Sequence, residues 1–225
     1  MRRFDAAVRA YLQRHPEATV VALGEGLGTG FWRLDNGRLT WLTVVPPETA
    51  AVRRMLLPDG ARRRTVARAV TDHGWLDAVR EPWRGVIVTA PGVLMRLPPA
   101  AVHALLAACA ERFPGGVLVF DALPRRAAAL VRLASGAGGR WPVPVRWGLE
   151  RAQLPRLAGA HPGIAAVREL GPAPASPERP VTGGLPARLV WPVRRVPVLR
   201  ALTPLVCEVR FAPARSPRRA SSAVS

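Results

Sequence analysis

One segment of the sequence has the form of a ligand-binding turn. Gly24-Glu25-Gly26-Leu27-Gly28-Thr29-Gly30 follows the apolar, β-branched run at 19–23 without a spacer. Glycines after a buried strand let the backbone approach a ligand that a Cβ would exclude. The spacing is not that of a dinucleotide fingerprint, because Gly30 lies one place beyond the third glycine that G-x-G-x-x-G requires, and residues 31–35 make a poor long helix. The Lys-Ser/Thr of a phosphate loop is absent as well. A turn that merely joins a strand to a helix is the plainer alternative. Asp72 and His73 stand side by side, and the histidine titrates in the range useful to a base. His15, His103 and His161 have no partners at metal-ligand spacing and read as surface or capping residues.

The elements that must position this turn follow from periodicity. Residues 2–14 read as an amphipathic helix, with Phe4, Val8, Tyr11 and Leu12 on one face. Buried strands are predicted over 19–23, 39–45, 85–90, 117–121 and 205–211, and a weaker one over 65–70. Helices are predicted over 47–57, 98–113, 125–134 and 149–158, the first opened by Pro46-Pro47-Glu48. Residues 136–144 read as a loop and 171–187 as an irregular Pro/Gly-rich excursion. Strands alternating with helices imply parallel βαβ units, hence an α/β sheet covered on both faces. One domain is expected over 1–211, followed by a disordered basic tail over 212–225.

The chain of 225 residues carries 33 basic residues, all Arg, against 15 acidic ones, for a net charge of +18. Such charge is the footprint of many nucleic-acid binders, and Arg53, Arg54, Arg62, Arg63, Arg64 and Arg68 form the densest cluster. Absence of Lys together with abundant Ala, Pro, Gly and Val points instead to GC-rich coding. A solvated helix face is the preferred reading of the cluster. No apolar run reaches the length of a membrane span, and no secretory signal opens the chain. Cys109 and Cys207, far apart in apolar surroundings, fit a reducing cytoplasm.

Taken in order, the motifs resemble the leucine carboxyl methyltransferase family, in its bacterial polyketide-synthesis O-methyltransferase branch. The resemblance runs through Phe4-Asp5, the segment 20–27 (family V-V-x-L-G-x-G-L-D-T-R), Phe31-Trp32-Arg33, Trp41 and Pro47-Glu48. It continues through Arg53-Arg54, Asp72-His73-Gly74-Trp75-Leu76, Gly92-Val93-Leu94-Met95, Leu97-Pro98, Phe113-Pro114-Gly115 and Phe120-Asp121, with weaker similarity to about Phe211. It implies a Rossmann-like class I fold, a mainly parallel sheet with helices on both faces, and S-adenosylmethionine (SAM) as cofactor. SAM would lie across the carboxyl ends of the strands, as ligands of open α/β sheets do. Gly24, Glu25 and Gly26 would pass under it, and Arg3 would take its carboxylate. Val45 would stand at the ribose position, Asp72 with Thr71 at the adenine, and Ala90 at the end of the fourth strand. His73 and Arg96 would face a small-molecule acceptor.

The departures from the family pattern cluster on that same face. D-T-R becomes Gly28-Thr29-Gly30, and D-x-D-x-P becomes Thr43-Val44-Val45-Pro46-Pro47. E-G becomes Pro91-Gly92, and the Tyr before Leu-Pro becomes Arg96. Three functions follow as expectations: SAM-dependent O-methyl transfer to a small molecule, a degenerate methyltransferase kept for interaction or regulation, and an Arg-rich nucleic-acid binder.

Overall fold

The computed structural model describes residues 1–136, 145–171 and 203–214. The elements are α1 (Arg2–Leu12), β1 (Thr19–Leu23), α2 (Gly30–Leu34), β2 (Thr40–Val45), α3 (Pro47–Leu56) and β3 (Arg63–Ala67). They continue with β4 (Val86–Ala90), α4 (Pro99–Arg112), β5 (Val117–Ala122), α5 (Arg125–Gly136), α6 (Leu154–Ala158), β6 (Ile164–Glu169) and β7 (Leu205–Phe211). Short 3-10 turns occupy His73–Ala78, Pro82–Arg84, Leu94–Arg96 and Arg151–Gln153.

All seven strands form one sheet in the order β3-β2-β1-β4-β5-β7-β6. The pairs from β3 to β5 are parallel, while β7 runs antiparallel to both β5 and β6. The chain steps outward from β1 to β2 and β3, then returns to the other side of β1 for β4. With right-handed crossovers, that reversal sends the connecting helices to opposite faces. It also opens a crevice at the carboxyl ends of β1 and β4.

The alternation of side chains along each strand supplies two cores. Val20 and Ala22 of β1 meet Phe4, Val8, Tyr11 and Leu12 of α1 and Phe31 and Leu34 of α2. Val21 and Leu23 meet Val102, Leu105, Leu106 and Cys109 of α4 on the other face. Both cysteines are free and buried, and burial pushes the Cys207 thiol up to about 12 and the Cys109 thiol still higher.

Predicted and observed elements differ at the edges. The weak third strand lies at Arg63–Ala67 rather than 65–70, because Pro58-Asp59-Gly60 turns the chain earlier: Thr65 N–H donates to Asp59 Oδ1 at 2.8 Å. The helix expected over 149–158 is a 3-10 turn followed by α6, with Pro155 in the first turn of the helix. The strand β6 escaped prediction, since its Ala165, Ala166 and Arg168 are exposed and only Ile164 is buried. The loop at 137–144, nearly all of the excursion at 171–187 and the tail beyond 214 lie outside the described residues.

Leu118, in the middle of β5, is fully buried in the α4-side core. Leu118→Ala is expected to lower unfolding stability by about 2–5 kcal/mol through lost transfer energy and a residual cavity, read as a shift in urea midpoint at constant slope.

Candidate functional site

The glycine-rich segment leaves β1 at the crevice. Gly26 has a φ of +59°, with nothing within 4 Å of where a Cβ would sit, so this part of the turn faces open space. The backbone N–H groups of Glu25, Gly26 and Leu27 carry no hydrogen bond among the described residues. Consecutive free N–H groups in a turn form a concavity that favours an anionic or lone-pair-bearing ligand.

Glu25 holds the other end of the turn. Its side chain is 5% exposed. Oε1 accepts from Gly30 N–H at 2.8 Å, and Oε2 accepts from Trp41 Nε1 at 3.1 Å and from Thr43 Oγ1 at 3.0 Å. Arg53 of α3, 4% exposed, donates Nη2 to Glu25 Oε2 at 3.4 Å. Its Nη1 donates to the carbonyls of Gly26 at 2.5 Å and Gly28 at 3.0 Å. Burial pulls the Arg53 guanidinium below its ordinary range, and the Glu25 carboxylate works against that shift. The pair therefore ties α3 to the turn from beneath.

This arrangement accounts for three of the departures from the family motif. A Cβ on Gly30 would lie 2.6 Å from Glu25 Oε1 and from the Trp41 ring, so no arginine fits there. A Cβ on Gly28 would lie 2.6 Å from Glu25 Cγ, so no aspartate fits there either. An acid at position 43 would stand against the Glu25 carboxylate, whereas Thr43 donates to it. Glu25, expected to pass under the cofactor, turns its carboxylate inward, and both oxygens are engaged inside the protein.

The cleft above the crevice is lined by Met1, Phe4, Asp5 and Val8 of α1, by Glu25, Gly30, Arg33 and Trp41, and by Thr89 and Pro91 at the end of β4. Its water-accessible volume is only about 20 Å³, room for one or two waters. Arg33 and Asp5 form a two-pronged ion pair at its edge, at 3.2 and 3.3 Å, and Arg33 Nη1 donates to Thr29 Oγ1 at 3.2 Å.

The other expected site residues are distributed around this cleft. Arg3, expected at the cofactor carboxylate, does not line it; Arg33 does, because α1 turns Phe4 and Val8 inward. Val45 ends β2 and is 1% exposed, so an apolar, buried side chain stands where a ribose-binding acid was expected. The first turn of α3, three residues on, carries Glu48, exposed and without a partner among the described residues. Glu48 opens the helix directly after the Pro46-Pro47 step, and that position is its signal in the sequence. Asp72 lies in the loop beyond β3, beside the exposed Thr71, and is half-exposed. Its Oδ1 accepts from Gly74 N–H at 3.0 Å and its Oδ2 from Arg68 Nη1 at 2.6 Å, which hold the carboxyl below its usual range. His73 opens the following 3-10 turn and does not reach the cleft.

Ala90 is buried at the end of β4. Beyond it, Gly92 N–H donates to Asp121 Oδ1 at 2.5 Å, and burial pushes the Asp121 carboxyl up. Arg96 lies on the same side, with Nη2 4.0 Å from where a Gly92 Cβ would stand. The arginine cluster is engaged within the protein. Arg62 pairs with Asp35, Arg68 with Asp72 and Arg54 with Asp59, while Arg64 donates to the Ala78 carbonyl. Arg63 donates to the Pro58 carbonyl and lies 4.9 Å over the Trp32 ring.

No protein-family model matches the chain. Among curated proteins it is similar to the tetracenomycin polyketide synthesis O-methyltransferase TcmP of Streptomyces glaucescens, 30% identical over 123 residues. That match covers 54% of this chain and 45% of TcmP, so the chain spans less than half the length of this relative. The methyltransferase domain of bacterial CtHen1-C superposes with a TM-score of 0.55 at 13% identity, over 95% of this chain and 98% of that one. The chain has a class I methyltransferase fold. An O-methyltransferase of neocarzinostatin biosynthesis, NcsB1, solved with SAM and 2-hydroxy-5-methyl naphthoic acid, superposes with a TM-score of 0.50 at 17% identity. That superposition covers 92% of this chain and 56% of NcsB1.

Two variants test the electrostatics. Glu25→Gln leaves the Arg53 charge buried without a counter-charge and is expected to cost about 3–5 kcal/mol in urea unfolding. Asp121→Asn keeps an acceptor for Gly92 N–H and removes a carboxylate whose folded pKa is raised. A raised acid pKa means that the native state binds more protons than the unfolded chain, so stability declines as pH climbs from about 4 through the folded pKa. Relative to wild type, Asp121→Asn should gain stability across that window; a difference that stays constant with pH would contradict the assignment.

Proposed function

We propose that this chain binds SAM at the carboxyl ends of β1 and β4 and transfers its methyl group to an oxygen of a small aromatic acceptor. The observation that carries the reading is the glycine turn at the switch point, open at Gly26 and lined by three unpaired N–H groups, within a class I methyltransferase sheet. The similarity to TcmP supports oxygen as the methyl acceptor and a polyketide-type molecule as substrate. The naphthoic acid held by NcsB1 agrees with that class. This reading places the chain near the leucine carboxyl methyltransferases, as the motif order suggests. Two free, buried thiols fit a cytoplasmic setting.

When bound, SAM supplies an activated methyl group, and its displacement asks mainly for alignment. The residues of this chain then have binding and positioning roles. The N–H groups of Glu25, Gly26 and Leu27 face the cofactor, and the Glu25–Arg53 pair fixes their direction. Glu48 takes the ribose hydroxyls in place of the acid absent at Val45. Asp72 keeps lone pairs free beside its two donors and accepts from the adenine amino group. Arg33 offers the cationic edge that Arg3 does not.

A second reading, a methyltransferase fold without turnover, is favoured by one observation: the ribose position is a buried valine. Titration calorimetry of the purified chain with SAM separates the two. Saturable one-to-one binding is expected, weakened about 10-fold in Glu48→Gln, the loss of one or two hydrogen bonds to a charged group. A folded wild-type chain that releases no heat with millimolar SAM would support the silent fold instead.

A further inference from the structure

A second cavity shares none of the lining residues of the proposed methyl-transfer cleft. It sits between α4, the start of α5 and α6, and is lined by His103, Arg125, Trp147, Gln153, Arg156 and Leu157 among others. Its water-accessible volume is about 120 Å³, against about 20 Å³ in the cleft.

The polar part of the lining consists of donors. The guanidinium groups of Arg125 and Arg156 have no hydrogen-bond or ion-pair partner among the described residues, and neither does the ring of His103. Gln153 Oε1 accepts from Glu150 N–H at 3.1 Å, which leaves its amide nitrogen as the free end. The neighbouring acid, Glu150, does not neutralise the arginines. Its carboxylate accepts from Arg125 N–H at 2.8 Å and from the Gln153 backbone N–H in a capping box. Two guanidinium groups that no carboxylate neutralises line one cavity, and that juxtaposition suits an anion.

The rest of the lining is apolar and fixed. Trp147 is 7% exposed and packs against Phe120 with ring centroids 5.8 Å apart; Leu157 is 5% exposed. The segment carrying Trp147 is pinned at both ends: Arg146 and Trp147 N–H donate to the Met95 carbonyl at 2.7 and 3.1 Å, and Leu149 N–H donates to the Leu123 carbonyl at 2.9 Å. A rigid apolar wall beside paired cations suits a ligand with a flat body and a charged end.

We propose that this cavity is a second ligand site, for a compact aromatic carboxylate. Arg125 and Arg156 hold the carboxylate through charge-assisted hydrogen bonds, and the ring lies against Trp147 and Leu157. The site shares no lining residue with the methyl-transfer cleft, so its occupancy is tested without SAM.

The test is calorimetric titration of the full chain, without SAM, with sodium benzoate, benzamide and inorganic phosphate in parallel. Benzoate should bind saturably and at least about 10-fold more tightly than either control, since benzamide lacks the charge and phosphate lacks the ring. The double variant Arg125→Ala/Arg156→Ala should lose at least about 10-fold in benzoate affinity while still binding SAM as wild type does, if wild type binds it. Both arginines are exposed, so the thermal midpoint should be unchanged. Should the variant misfold, the indole N–H resonance of Trp147 in the wild-type chain gives a second readout and should shift with benzoate. The proposal is overturned by absence of benzoate binding at about 10 mM, a concentration that would reveal even millimolar affinity. It is equally overturned by affinity unchanged in a folded double variant, by phosphate binding as tightly as benzoate, or by an unmoved Trp147 resonance. Each outcome is independent of whether SAM binds the other cleft.

Discussion

A carboxylate with 5% exposure, Glu25, organises the ligand-facing end of this fold. It gathers a backbone N–H from the start of α2, an indole and a hydroxyl from β2, and a guanidinium from α3. Burying one charge pair is costly, and such pairs persist where further hydrogen bonds complete them. Here the participants come from the turn after β1 and from α2, β2 and α3, so the cluster sets how these elements meet. Arg53 extends the effect, because its second terminal nitrogen donates to the carbonyls of Gly26 and Gly28. With those carbonyls drawn inward, the N–H groups of the turn are left for a ligand.

The same interaction explains where the sequence departs from the motif of the family it resembles. Gly28 and Gly30 make room for the Glu25 side chain and the Trp41 ring, and Thr43 donates where an acid would repel. Seen one position at a time, these look like losses of cofactor-binding groups. Together they fit a turn packed over one buried carboxylate. Val45 is not explained this way, and nothing in the structure accounts for it.

Much of the architecture was legible in the chain. Strand β1 is a nearly continuous apolar run buried along its whole length, which is the pattern of a doubly covered sheet. Helix α1 shows its buried face in Phe4, Val8, Tyr11 and Leu12. The edge strand β6 was not legible, since a strand with three exposed residues out of six lacks both a continuous run and a clean alternation. The site was legible by position more than by role. The motif order marks residues 24–30 and Asp72 as candidates, but periodicity cannot tell a glutamate that faces a ligand from one that turns beneath the loop. The choice between Arg3 and Arg33 turned on which face of α1 is buried over the cleft. The unpaired arginines of the second cavity carried no sequence signal at all, because arginine is everywhere in this chain and only the fold shows which ones lack an acid.

The central claim is that Glu25 and Arg53 hold a preformed turn whose free N–H groups receive SAM. Amide hydrogen exchange across residues 24–30, with and without SAM, tests it most directly. The account predicts that the Gly30 amide, bonded to Glu25, is protected already in the ligand-free chain, and that the Gly26 and Leu27 amides gain protection only when SAM is added. An unprotected Gly30 amide in the free chain, or amides at 26 and 27 that exchange equally fast at saturating SAM, would contradict it.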